Sequence, residues 1–405
     1  MSAKGAPSSA RDCLIDVSRL IWRAWRGRPA TGIDRVCLAY LERFGPRALA
    51  VVQRKGLIVV LSARQSDRLF AVLARGFDGQ RIKFLATIVG AARTLRLTPP
   101  RAGMVYFNVG HTGLDDPSLP SWISRNHIRA VYLIHDLIPL SHPQYCRAGE
   151  AERHARRMTH ALQSAAAIIG NSQETVKELR KFARSRELPL PPVLSAPICG
   201  YDGCNNLRPK QVERPYFVTV GTIEARKNHL LLLRAWERIA EYMGSDTPRL
   251  VVIGNRGWEA EQAIRWLDRL GSLAAHVVEI DSCNDDDLAT WIAGARALLM
   301  PSFVEGFGLP VVEALRLGTP VIASDLPVYR EIAGEIPTYL DPADADAWAR
   351  TCEAFTGEDP ERKRQIDAIR SYCPPTWEGH FATVEPWVSE IVAGAGLLGS
   401  DPIGT

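Results

Sequence analysis

The run Ala297-Leu298-Leu299-Met300-Pro301-Ser302-Phe303-Val304-Glu305-Gly306-Phe307-Gly308-Leu309-Pro310-Val311-Val312-Glu313-Ala314-Leu315 starts apolar, breaks at a proline, passes two glycines and resumes as an apolar helical pattern. Ala297–Met300 reads as a short buried strand. Pro310 falls in the first turn of the following helix, where a missing N–H is tolerated. Gly306 and Gly308 allow the backbone close to a ligand, and the helix start offers unpaired N–H groups and the positive end of its dipole. A pyrophosphate suits that combination. Glu305 lies in the loop and Glu313 about one turn inside the helix, so the two carboxylates can address two parts of one ligand, such as a sugar ring and a ribose. The plainer alternative is a polar loop with a helix-start glutamate serving the dipole. The Gly-x-Gly loop set between strand and helix argues against it.

The same strand–helix beat extends outward on both sides. Downstream and upstream in the second half, strand-like runs fall at Pro215–Val220, Arg249–Ile253, His276–Ile280, Pro320–Ala323 and Thr338–Leu340. Between them lie helical patterns such as Asn228–Met243, where Leu232, Trp236, Ile239 and Met243 share one face. Strands separated by helices of this length predict repeated βαβ units on a parallel sheet, a Rossmann-like architecture. The first half alternates less regularly, with strands expected at Cys13–Val17, Ala48–Val52, Leu57–Leu61, Met104–Asn108, Ala130–Ile134 and Ala167–Gly170. Its expected helices are Ile33–Phe44, Arg147–Ser164 and Gln173–Ala183. Pro189–Arg214, rich in proline, reads as a linker, and a last helix is expected over Trp377–Val392 before a Gly-rich tail.

With 405 residues, two or three domains are expected, and 46% apolar against 23% charged residues is the balance of a globular chain with a large core. The eight cysteines are scattered without a C-x-x-C pair, which points to a reducing compartment and away from a zinc cage. No signal peptide or membrane span is read, so a cytoplasmic location is expected, with peripheral contact to the inner face of the membrane. The net charge of +4 is uneven. Residues 1–200 hold 30 Lys and Arg against 14 Asp and Glu, and residues 201–405 hold 19 against 31. A basic first half suggests an anionic partner. Arg19, Arg23, Arg26, Arg28 and Arg35 beside Trp22 and Trp25 read as a basic, aromatic-tipped surface for anionic lipid. The competing reading has these tryptophans in the core and the arginines paired with the acidic half across a cleft. Nothing resembles a nucleic-acid motif.

Val220-Gly221-Thr222-Ile223-Glu224-Ala225-Arg226-Lys227-Asn228-His229 places two cations where a helix begins, against its dipole, which an anion would resolve. With the Glu305–Glu313 segment, this stretch resembles the retaining GT-B glycosyltransferases of the family-4 type. The resemblance covers the second half and reaches the first in patches. It implies an α/β fold of GT-B type, two Rossmann-like domains with parallel sheets facing across a cleft. The expected divisions are an acceptor-binding domain over 1–205, a nucleotide-sugar-binding domain over 206–375, and a helix over 376–405 crossing back to the first domain. Arg226 and Lys227 would neutralise the donor diphosphate, Glu305 would hold sugar hydroxyls and Glu313 the ribose. Gly221, Thr222, Gly306, Phe307, Gly308 and Leu309 would line the donor site, with Cys283 near the base.

In the first half, Val131-Tyr132-Leu133-Ile134-His135-Asp136-Leu137-Ile138-Pro139 ends a strand at the edge where parallel sheets bind ligands. It resembles the H-D-x-x-P segment of a subgroup associated with bacterial polysaccharides. The resemblance implies that His135 meets the donor sugar near its reacting carbon, and Asp136 is assigned to the acceptor. A structural histidine bonded to loop backbone is the alternative. Thr31-Gly32-Ile33-Asp34-Arg35-Val36 resembles the family's glycine-rich first loop, with Gly32 facing the donor. His111, at another strand end, is assigned to the acceptor, and Ser172 reads equally as a helix cap.

The resemblance implies no metal and no cofactor beyond the nucleotide-sugar co-substrate. Asp285-Asp286-Asp287 after Asn284 are read as a capped helix start and its acidic first turn. The subgroup favours GDP-mannose or another GDP-sugar, then a UDP-sugar, with a saccharide or lipid-linked saccharide as acceptor. The competing classes are a catalytically silent binding subunit and a GT-B epimerase or phosphorylase. A phosphorylase would need a lysine-bound pyridoxal phosphate, for which no motif is present.

Overall fold

A computed structural model describes residues 11–27, 31–74, 98–201, 203 and 207–394. The expected boundary at 205/206, Arg28 and the tail beyond residue 394 lie outside them. The first sheet has seven strands: β1 (Cys13–Asp16), β2 (Ala48–Arg54), β3 (Leu57–Val60), β4 (Val105–Asn108), β5 (Arg129–Ile134), β6 (Ala165–Gly170) and β7 (Val193–Ser195). Their order is β3-β2-β1-β4-β5-β6-β7. The second sheet has six: β8 (Tyr216–Val220), β9 (Arg249–Ile253), β10 (Val277–Ile280), β11 (Leu298–Met300), β12 (Val321–Ser324) and β13 (Thr338–Leu340). They run in the order β10-β9-β8-β11-β12-β13. The fold is GT-B, α/β with two mainly parallel sheets.

One pairing departs from the parallel expectation. β2 and β3 are antiparallel, joined by Lys55 and Gly56 with φ of 47° and 80°. A two-residue turn with positive φ at both positions makes a hairpin and is too short for a crossover. A second departure lies in the expected linker, where Val193–Ser195 pairs in parallel with β6. The helix expected from Arg147 begins at Glu150, after Gly149 at φ 80°.

Strand order reverses between β1 and β4 and again between β8 and β11. Outside the carboxyl ends of strands at such points the flanking loops diverge and leave a crevice. Asn108 to His111 and Gly221 to Lys227 lie at these points. The parallel strands read as continuous apolar runs because helices cover both faces. Trp236 and Trp348 are fully buried in the second domain, and the Trp236 indole N–H donates to the Pro248 carbonyl at 2.8 Å.

The last helix, Trp377–Val392, starts at the Thr376 cap and contains Pro386. It packs on the first domain. Phe381 meets the Tyr40 ring edge-on at 5.1 Å, and the His380 ring bonds the Tyr40 hydroxyl at 2.9 Å and the Pro197 carbonyl at 3.0 Å. Among the described residues no helix is long and apolar enough to cross a membrane.

Candidate active site

The loops expected to hold the donor assemble around Glu305. Its carboxylate, only 7% exposed, accepts from Arg226 Nη1 at 2.7 Å and Lys227 Nζ at 2.5 Å. Ser302 Oγ donates to it at 2.8 Å. Arg226 also pairs with Glu224 at 2.7 Å. Asn228, left-handed at φ 55°, donates through its amide to the Pro301 and Pro342 carbonyls at 3.1 and 2.8 Å. These bonds lock the loop after β8 to the loop after β11. The two cations that a donor phosphate was expected to meet are therefore held by protein carboxylates here. Burial alone would raise the Glu305 carboxyl, but Lys227 and Arg226 hold it down at about 2, fully ionised. Burial lowers the Lys227 ammonium, against the pull of Glu305.

Gly221 stands at φ 139°, and a Cβ there would lie 3.4 Å from Lys227 Cε. Thr222 packs its methyl where a Cβ on Gly257 would lie, 2.6 Å away. Gly308 needs glycine twice over, for its φ of 101° and because a Cβ would stand 2.6 Å from the Tyr329 ring. Gly308 thus gives room to Tyr329, and Phe307 is buried in the core. Tyr329 is itself buried with an unbonded hydroxyl.

The first domain meets this cluster directly. A Cβ on Gly306 would fall 2.5 Å from the His135 carbonyl and 2.8 Å from Asp136 Cβ. Ser172 caps its own helix and donates to the Gly306 carbonyl at 3.0 Å. Tyr145 stacks on Phe303 at 5.3 Å. His135 is buried, and its Nε2 bonds the Val109 carbonyl at 2.8 Å. A carbonyl only accepts, so the proton sits on Nε2 and Nδ1 keeps its lone pair. Burial lowers this imidazole to about 4, so it is neutral. His111, left-handed at φ 59°, bonds the Leu133 carbonyl at 3.0 Å. Burial first, then His135 and His154, push it well down. Asp136 accepts from the Ile138 amide at 3.1 Å.

Glu313 is buried and reaches neither Glu305 nor its cations. Its Oε1 accepts from Arg35 Nη1 at 2.6 Å and from the Tyr201 amide at 2.9 Å. Arg35 also pairs with Asp285. Gly32, expected at the donor, lies under the Leu309 side chain, 2.7 Å from its Cδ1 if a Cβ were present. Cys283 is half-buried and its thiol is pushed up to about 11, by burial and then by Asp287 and Asp285.

Arg35 follows the competing reading, an arginine of the first half paired with carboxylates of the second across the cleft. Sequence reasoning missed its partner Glu313 in that pairing, and missed Tyr201, Ser302, Glu224 and Tyr329 altogether. Arg35, Ser302 and Glu224 stand inside the motifs already quoted, whereas Tyr201 and Tyr329 carry no local signal. The basic surface is corrected in part. Arg19 and Arg23 pair with buried Asp34 at 2.7 and 3.0 Å, and Arg35 crosses the cleft. Trp22 lies beneath the Arg54 guanidinium at 4.6 Å. Trp25 is half-exposed and Arg26 exposed. Among the described residues, no cluster of three or more His, Cys, Asp or Glu side chains is arranged to hold a metal. Asn284 accepts from the Asp287 amide at 2.8 Å, a helix cap.

Comparison with known proteins finds a family model that matches part of the chain. Residues 206–372 match the glycosyl transferases group 1. The group 1 segment thus carries Arg226, Lys227, Glu305 and Glu313. Serotype-specific mannosyltransferase WbdA of Escherichia coli is 30% identical over 231 residues, 52% of this chain and 28% of that protein. O-antigen chain mannosyltransferase B of Escherichia coli is 29% identical over 234 residues, 54% of this chain and 59% of that protein. The chain spans less than two thirds of the length of these relatives. Anabaena Alr3699/HepE in complex with UDP superimposes with a TM-score of 0.60 at 15% identity, covering 94% of this chain and 99% of that one. An α,α-trehalose-phosphate synthase (UDP-forming) from Burkholderia xenovorans in complex with glucose-6-phosphate gives 0.60 at 13%, covering 94% and 100%. At such identities the likeness is one of fold.

Proposed function

We propose that the protein is a glycosyltransferase of surface-polysaccharide assembly. It moves a hexose from a nucleotide-diphosphate sugar to a saccharide or lipid-linked saccharide. The donor read here is a GDP-sugar, GDP-mannose first, and the product keeps the donor's anomeric configuration without a metal. The observation that carries this reading is the convergence of Arg226, Lys227 and Glu305 beside the His135–Asp136 segment of the other domain. Relatives named as mannosyltransferases favour the sugar.

In the reaction the acceptor oxygen bonds to the anomeric carbon while the bond from that carbon to the diphosphate breaks. The acceptor's proton passes to the departing phosphate oxygen on the same face. Charge builds on the diphosphate, and fixed cations aimed at it are the largest single contribution expected. Arg226 and Lys227 supply them and are already oriented by Glu305. The Glu305 carboxylate, ionised and held on three sides, can accept from sugar hydroxyls without rearranging. His135, neutral and fixed as the Nε2–H tautomer, offers Nδ1 as an acceptor. A chain with these groups intact is hard to read as a silent subunit.

Donor hydrolysis followed by nucleotide release, with GDP-mannose and UDP-sugars in parallel, tests the activity. NMR of the glycoside tests retention, and an inverted product would overturn it. Half-exposed Trp25 and exposed Arg26 support peripheral contact with an anionic membrane. Sedimentation with anionic vesicles tests that contact, and a protein that stays in the supernatant at low salt refutes it.

A further inference from the structure

Among the first-domain side chains that reach the second domain is one that the proposed chemistry leaves unused. Arg35 belongs to the helix Gly32–Phe44, whose Thr31–Asp34 capping box fixes its start. From there its guanidinium spans the cleft, with Nη1 on Glu313 Oε1 at 2.6 Å and Nη2 on Asp285. Its Nε is buried with no bonded partner. Glu313 is held on one oxygen only. Oε1 takes both Arg35 and the Tyr201 amide at 2.9 Å, and among the described residues no donor bonds Oε2. The stem of Glu313 packs against Gly200, where a Cβ would stand 2.6 Å from its Cγ.

We propose that Arg35 is a positioning residue for nucleotide recognition. It orients Glu313 and keeps it charged from across the cleft, leaving Oε2 to accept from the donor's ribose. This rests on the nucleotide-sugar reading above. A carboxylate buried this deeply is costly to ionise without a partner. The groups facing Glu313 are Arg35 from the helix Gly32–Phe44, Asp285 from the helix Asp285–Gly294, and the Tyr201 amide. Beside them stand Asp286, bonded to the Tyr201 hydroxyl, Arg316 on the Tyr201 carbonyl at 3.4 Å, and the Cys283 thiol. Burial raises the Glu313 carboxyl above its ordinary value, and Asp285 adds to the rise; Arg35 and then the Tyr201 amide act against it and limit it. Arg35 is the only cation bonded to it among the described residues. A neutral carboxylic acid there would present a proton where an acceptor is needed. The same contact makes ribose recognition depend on closure of the first domain.

The test is calorimetric titration of GDP and of UDP between pH 5.5 and 8.5 on the full chain, for wild type, Arg35→Met, Arg35→Lys and Glu313→Gln. Protonation of the diphosphate itself is common to all four and cancels in the ratio of each variant's affinity to wild type. For Arg35→Met the ratio is expected to fall as the pH is lowered, about tenfold per unit once the carboxyl is protonated. Arg35→Lys keeps a cation and should give a weaker but flat ratio, and Glu313→Gln should be weak and flat. At saturating donor, Arg35→Lys should retain kcat while its KM rises. A flat ratio in Arg35→Met, tighter binding in that variant, or a sloping ratio in Arg35→Lys overturns the assignment. If wild type binds neither nucleotide, the donor reading itself fails, which is a different result from a flat ratio.

Discussion

Gly306 in the second domain and the His135 carbonyl in the first stand so close that a Cβ on residue 306 would lie 2.5 Å from that oxygen. The neighbouring atoms are backbone and Asp136 Cβ, neither of which can swing aside. Overpacking of this kind costs roughly 1–3 kcal/mol, and here it acts on the contact between domains. Gly306→Ala should therefore lower kcat/KM by roughly 5–150-fold while the melting temperature of the second domain changes little. Solution scattering should record a larger radius of gyration. A variant with unchanged kinetics would mean that the contact is not needed for turnover.

Lys227 couples function to stability, because its ammonium neutralises Glu305. Lys227→Met should cost roughly 10²–10³ in kcat/KM, the loss expected for one preorganised charge contact. It should also destabilise the fold, since a buried carboxylate keeps only Arg226 and Ser302. Glu305→Gln in the same chain should restore part of that stability. Denaturant unfolding of both single variants and the double variant measures the coupling. Effects that add to within about 0.5 kcal/mol would mean the two side chains act independently.

The parallel strands were legible because helices bury both faces, so each reads as an unbroken apolar run. Their edges were less so. β3 has an ordinary strand composition, and only the positive φ of Lys55 and Gly56 reveals its antiparallel pairing. Val193–Ser195 hid among prolines that disfavour a strand. Within the site, Glu305, Arg226 and Lys227 were legible as charges in glycine-rich or helix-start contexts. Their partners were not. Arg35 and Glu313 are 278 residues apart, and no local pattern links an arginine on one domain to a carboxylate on the other. Counting charge by halves left a basic surface and pairing across the cleft both open; Arg35 takes the second course, whereas Arg19 and Arg23 pair with Asp34 of their own half.

Three buried histidines make stability depend on pH in one direction. Burial lowers His229 to about 3, and His135 and His380 to about 4, each below the ordinary value of 6.5. Folding keeps them neutral, whereas the unfolded chain protonates them below about 6.5. Their contribution is complete above that pH and is lost as pH falls through the folded values. The slope should approach about 1.4 kcal/mol per pH unit for each histidine in that window. Ionised Glu305 extends the loss from the ordinary carboxylate range down to about 2. Denaturation midpoints at pH 7, 6 and 5 should fall steadily, with net proton uptake on unfolding. A midpoint constant over that range would contradict the burial of neutral imidazoles.

The three aspartates at 285–287 provide the last prediction. Each carboxylate has a partner of its own: Arg35 for Asp285, the Tyr201 hydroxyl for Asp286 and the Asn284 amide, at 2.9 Å, for Asp287. They open the helix Asp285–Gly294, where negative charge is favoured by the dipole. Asn284→Ala should then cost about 1 kcal/mol of stability, the usual price of a lost cap. Turnover should persist in excess EDTA, because in the proposed reaction Arg226 and Lys227 meet the charge that a metal would otherwise meet. Activity lost in chelator and regained with magnesium or manganese would bring these aspartates into the chemistry, and a metal titration of Asp286→Asn would then test Asp286 as the ligand.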